Sequence, residues 1–126
     1  MIDHISIGVR DLAASATFYD AALAPLGYAR MIVRDTTIGY GKQYPDFWLN
    51  ERRAMAPVDP NSGMHVCLRA PNVDAVAAFY DAAMSAGATS DGPPGPRPEY
   101  TDGYFAAFIR DPDGNKIEAV TFIKKA

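Results

Sequence analysis

Cysteine is almost absent from this chain: Cys67 is the only one in 126 residues. No internal disulfide can form, so a reducing, cytoplasmic setting is the default expectation. Tryptophan is also single, at Trp48, and histidine occurs only at His4 and His65. Positive charge is not in excess. Twelve Lys and Arg against fifteen Asp and Glu give a formal net charge of −3, which offers no electrostatic reason to bind nucleic acid or an acidic membrane. No apolar run approaches membrane length, and the N-terminus lacks the basic-then-apolar pattern of a secretory signal. Hydrophobic content of 48% with 21% charged residues excludes a disordered chain, and the length suits one globular unit.

What is present is a repeat. HISIGVRDLAASATFYDAAL, from His4 to Leu23, returns without a gap as HVCLRAPNVDAVAAFYDAAM, from His65 to Met84. An internal repeat has to be recognised before any other feature, because it dictates the architecture. Each copy opens as a strand. Ile5, Ile7 and Val9 alternate with His4, Ser6 and Gly8, and Val66 and Leu68 alternate with His65, Cys67 and Arg69. Each strand runs into a helix that starts near Asp11 or Asn72 and stops near Gly27 or Gly87.

In the first half, strands are expected at Tyr28–Val33, Thr36–Gly41 and Tyr44–Asn50. A connector over 51–63 follows, marked by Pro57, Pro60 and Gly63. In the second half a short strand is expected at Ala88–Ser90, and the Pro- and Gly-rich 91–103 reads as a loop. Tyr104–Arg110 and Lys116–Ile123 form a hairpin around the turn Asp111-Pro112-Asp113-Gly114-Asn115. The expected class is therefore α+β: two tandem strand–helix–three-strand modules, residues 1–50 and 64–126. Modules of this size are marginal alone, so they should share a core or pair across a dimer. Glu118 stands out on the last strand, because a carboxylate among apolar neighbours must be solvated or paired.

Two βαβββ units, a histidine on the first strand of each, and DPDGN leading into Ile117-Glu118 resemble the vicinal oxygen chelate superfamily. That group includes glyoxalase, fosfomycin-resistance thiol transferases, bleomycin-resistance proteins and extradiol dioxygenases. The likeness covers essentially the whole chain, and GYFAAFIRDPDGNKIEAV is its most specific part. It implies curled mixed sheets around an open cup, a small-molecule substrate, and a divalent metal (Fe, Mn, Zn or Ni) held by His4, His65 and Glu118. Two imidazoles and one carboxylate leave other coordination positions open. A metal held so would act as a Lewis acid on two neighbouring substrate oxygens. Isomerisation, thiol addition and oxygenation are the reaction types implied. A metal-free, drug-sequestering protein is the alternative within the same superfamily. A homodimer is also implied, since members of this size commonly build each cup from two chains.

The four-ligand, glyoxalase-type pattern is not expected. Superposing the two last strands sets Trp48 where Glu118 stands, and Glu51 falls on the wrong face. Trp48, Tyr40, Tyr44, Tyr100 and Tyr104 read either as an aromatic wall for a flat substrate or as ordinary strand aromatics. Arg97 reads as a substrate-anion contact or as a solvated loop charge. Arg69 reads equally as a structural ion pair. Cys67 is expected to be small and buried, and the Asp111–Asn115 turn structural rather than calcium-binding.

Overall fold

Short polar side chains start both helices, as the sequence indicates. In the computed structural model, which describes residues 1–124, Asp11 accepts the Ala14 amide at 3.0 Å and Asn72 accepts the Ala75 amide at 2.9 Å. Each satisfies a backbone donor that the first helical turn leaves free. Helix α1 spans Leu12–Leu23 and α2 spans Val73–Ser85. After α1 a 3-10 turn, Ala24–Leu26, ends at Gly27, whose φ of +85° suits a residue without a side chain.

Eight strands complete the fold: β1 (Ile5–Val9), β2 (Ala29–Val33), β3 (Thr37–Gly41), β4 (Pro45–Glu51), β5 (Val66–Arg69), β6 (Thr89–Pro96), β7 (Tyr104–Arg110) and β8 (Lys116–Phe122). They make two four-stranded sheets, ordered β1-β4-β3-β2 and β5-β8-β7-β6. In each, the strand before the helix pairs in parallel with the last strand of its module, and the other pairings are antiparallel. The chain is thus α+β, strand–helix–three strands twice over, and the sheets do not close into one barrel.

One boundary departs clearly from expectation. Residues 91–96 extend β6 instead of forming a loop. The strand lies at the sheet edge and its register against β7 shifts twice, between Ser90 and Gly92 and between Gly92 and Gly95. An edge strand with bulges tolerates prolines that a central strand excludes, because one row of its amides needs no partner.

A single apolar cluster runs through both modules. Phe18, Tyr19 and Leu23 of α1 meet Val76 and Phe79 of α2, with Phe47, Leu49, Ile109 and Ile117 from the sheets. The modules therefore share a core within one chain. The β7–β8 turn pins them together. The Tyr19 hydroxyl donates to Asp111 at 2.6 Å, the Arg10 guanidinium to Asp113 at 2.8 Å, and the Asn115 side-chain amide to the Gly8 carbonyl at 2.9 Å. Asp111 is almost wholly buried, and that burial raises its carboxyl above the usual range. Four donors from Tyr19, Asp113 and Asn115 compensate for it. No helix among the described residues is long and apolar enough to cross a membrane.

Candidate metal and ligand site

Strand alternation gives each sheet a helix-facing side and an opposite side. Val9, Phe47 and Leu49, like Ile117 and Ala119, belong to the core beside the helices. Ser6, Gly39 and Trp48 of the first sheet, and Cys67, Phe108 and Glu118 of the second, therefore occupy the opposite, cup-facing sides. Ser6 pairs with Trp48, and Cys67 pairs with Glu118. Ser6 and Cys67 correspond in the repeat, and each pairs with the last strand of its own module, so Trp48 does occupy the first module's equivalent of Glu118. The next strand continues the correspondence: Trp48 is flanked by Gly39 where Glu118 is flanked by Phe108.

In the second module Glu118 is 2% exposed. One carboxylate oxygen lies 2.9 Å from His65 Nε2, and the other accepts the Tyr104 hydroxyl. Ala106, Phe108 and Val120 make a small apolar cluster around it. The Arg97 guanidinium stacks 5.5 Å from the Phe108 ring centroid. Burial and then Glu118 raise the Tyr104 hydroxyl well above its ordinary range. The same two causes, in the same order, push the Cys67 thiol up to about 12. Cys67 as a residue is exposed, which corrects the buried position expected for it. Its thiol nevertheless leans against Glu118 and Tyr104.

The first module presents an open pocket of about 540 Å³. His4 and Tyr44 stand at one end, Arg34 and Thr37 at the other, and Trp48 between them. The His4 Nδ1 lies 2.6 Å from Asp3, which also accepts the Tyr44 hydroxyl at 2.9 Å. Those two contacts hold the Asp3 carboxyl below the usual range. His4 also borders a smaller depression of about 300 Å³, which Cys67 and Arg69 line as well.

Of the residues proposed from sequence, the structure brings His65, Glu118 and Tyr104 together in one place and His4, Tyr44 and Trp48 in another. Tyr40 is a correction. Its side chain is fully buried on the helix side, with the hydroxyl near the Ala16 carbonyl and the Asp20 carboxylate, so it cannot line the cup. Arg97 is a second. Its guanidinium donates to the carbonyls of Pro93, Gly95 and Pro96, and so belongs to the scaffold over Phe108. Tyr100 is exposed and packs edge-on against Tyr104 at 5.1 Å. Arg69 stacks on Phe122 at 4.7 Å. Glu51 accepts the Leu12 amide at the start of α1, turned from the cup as its register implied. Sequence reasoning missed Arg34, which sits 5.3 Å from the Trp48 ring centroid. It follows β2, two positions after Ile32 of the same pocket, and only the pairing of β2, β3 and β4 reveals what it stands over.

The residues fit a divalent metal in part. Two donors bound to one cation at right angles, at ordinary bond lengths, lie roughly 3 Å apart, and His65 Nε2 and Glu118 Oε1 are 2.9 Å apart. Within one chain the third donor is missing from the group. Among the described residues no three His, Cys, Asp or Glu side chains converge closely enough to hold a metal.

Two mixed sheets built from repeated βαβββ units, with a histidine–carboxylate pair on one cup face, define a vicinal-oxygen-chelate type of protein. The Glyoxalase/Bleomycin resistance protein/Dioxygenase superfamily matches residues 29–119, and the chain belongs to it. Its structure is similar to that of a glyoxalase/bleomycin resistance protein from Albidiferax ferrireducens T118, with 31% identity over 94% of this chain and 95% of that one and a TM-score of 0.80. A glyoxalase/bleomycin resistance protein/dioxygenase family enzyme from Burkholderia phytofirmans PsJN shares 17% identity over 97% and 98% of the two chains, at a TM-score of 0.73. A glyoxalase-related enzyme from Fulvimarina pelagi shares 22% identity over 95% and 86%, at 0.72. No curated protein matches the chain by sequence.

Proposed function

We propose that this chain is a divalent-metal-dependent enzyme that works on a small oxygenated substrate as a homodimer. In this reading His65 and Glu118 of one protomer are joined by His4 of a second copy. The observation that carries it is the 2.9 Å approach of His65 Nε2 to a carboxylate that is 2% exposed, on the face turned from the core. A carboxylate so desolvated requires compensation by a cation or by several donors. His65 and Tyr104 supply two hydrogen-bond contacts here, with the weakly donating Cys67 thiol beside them. A bound divalent cation would supply Lewis acidity toward vicinal substrate oxygens. The chain's own part is to hold Glu118 through Tyr104, to keep His65 against it, and to exclude water behind Phe108 and Val120. Homodimer formation is supported by exposed apolar side chains beside both histidines: Ile2 is 79% exposed and Met64 72%.

The test is metal analysis of protein purified without chelator, with solution mass by light scattering. Wild type is expected to carry about one equivalent per chain as a dimer, and His65→Ala and Glu118→Gln to lose it. Unchanged metal content in both variants overturns the reading. A second reading, a metal-free binding protein, is supported by the aromatic pocket over Trp48 and by the contacts Glu118 already has. It predicts ligand quenching of Trp48 fluorescence in a protein that binds no metal.

A further inference from the structure

The first module's pocket carries a guanidinium whose one ring contact leaves its N–H donors without a carboxylate partner among the described residues. Arg34 lies in the turn between β2 and β3, is exposed, and holds its guanidinium 5.3 Å from the Trp48 ring centroid. Among the described residues no carboxylate pairs with it. The other arginines of this region are committed. Arg30 is bidentate on Asp20, Arg52 donates to Asn50, and Arg53 pairs with Glu51.

Beneath Arg34 the indole lies flat on the sheet. A Cβ at Gly39 would come within 2.8–2.9 Å of three of its ring atoms, so only glycine there allows the ring to lie against the backbone. The Trp48 Nε1 donates to the Pro45 carbonyl at 3.1 Å, which fixes the ring in its plane. Thr37 and Gly41 mark the Arg34 and Tyr44 ends of the pocket. Four residue steps of strand separate them, roughly 13 Å. The pocket is therefore a trough with an exposed cation at one end, an immobilised aromatic floor, and His4 with Tyr44 at the other end.

We propose that this trough selects a planar organic anion, a carboxylate attached to or near a flat unsaturated ring. The carboxylate sits on Arg34, the ring stacks on Trp48, and the far end of the molecule points to His4. Guanidinium recognises a carboxylate with two parallel N–H donors. An aromatic face already beneath it accepts the attached ring by offset stacking. This assigns a substrate class to the site proposed above. It rests on the first module contributing its pocket to that site, but not on a metal being bound.

Trp48 is the only tryptophan, so its fluorescence reports occupancy directly. The experiment titrates chelator-treated full-length protein with benzoate and salicylate, and with the matched neutral probes benzamide and salicylamide. The expected result is saturable quenching with the anions at least tenfold tighter than their amides. Arg34→Met should lose that preference while its circular dichroism stays that of wild type, since Arg34 is exposed and has no carboxylate partner among the described residues. Glu118→Gln should keep it, so failure of the metal reading is distinguishable from failure of this one. The proposal is overturned if no anion saturates, if amides bind as tightly as anions, or if Arg34→Met keeps the wild-type preference.

Discussion

The two cup faces of this molecule are built on one register and furnished in opposite ways. Where the second module has Cys67, Glu118 and Phe108 side by side, the first has Ser6, Trp48 and Gly39. In the second, a bulky neighbour and a small carboxylate leave the acid buried, and apolar side chains fill the space around it. In the first, a bulky ring and a glycine leave a flat floor and an open pocket. The repeat conserves the scaffold, and exchanging one large and one small side chain turns a polar centre into a stacking surface. The difference teaches that one register can carry two unlike surfaces, and in the proposed reading the modules are complementary parts of one site rather than two copies of it. In that reading one chain contributes a histidine–carboxylate pair and a second copy completes the ligand set.

The comparison can be broken at its shared foundation or on either face. The largest effect is expected at Glu118. Glu118→Gln keeps the shape but removes the charge, and metal content by elemental analysis should fall at least tenfold while Trp48 fluorescence is unchanged. Next is Asp111, whose carboxylate gathers four donors at the junction of the modules. Asp111→Ala should cost about 3 kcal/mol or more, since each stranded buried donor costs about 1–3 kcal/mol. Calorimetry should show Tm lower by roughly 10 °C. Gly39→Ala acts on the first face alone. The added methyl meets the indole, so overpacking of about 1–3 kcal/mol is expected. A shifted Trp48 emission should accompany it, with metal content intact.

The smallest effect concerns pH on the second face. The Cys67 thiol, pushed up to about 12, should be largely un-ionised at pH 9. Because the thiolate is the nucleophile, alkylation of this sole cysteine in chelator-treated protein should be slow there. Glu118→Gln removes a negative charge that opposes the thiolate, so alkylation at pH 9 should become faster. An equal rate in both proteins would mean that the thiol and the carboxylate do not interact.

Much of this was legible in the residues. The repeat carried the order of strands and helices, and Asp11 and Asn72 marked helix starts, because capping is a local interaction. The equivalence of Trp48 with Glu118 followed from laying the last strand of one module against that of the other, although the two halves differ in length. What was illegible depended on long-range pairing. Tyr40 has the alternation of its strand, but which side of β3 faces the helices follows from how β3 pairs with β4. Arg97 sits in a sequence that reads as loop, and only the bulged edge pairing of β6 directs its guanidinium to its own carbonyls. Arg34 gave no signal, since its partner is a ring fourteen residues away on another strand. Cys67 looked like a small core residue because an edge strand and a central strand share the same alternation.

The most direct measurement uses two inactive variants together. Differently tagged His4→Ala and Glu118→Gln chains are co-expressed without chelator, and the mixed dimer is isolated through both tags. If each site takes His4 from one copy and His65 with Glu118 from the other, the mixed dimer rebuilds one intact site and should carry one metal ion, while each variant alone carries none. A mixed dimer as empty as its parents would contradict the account.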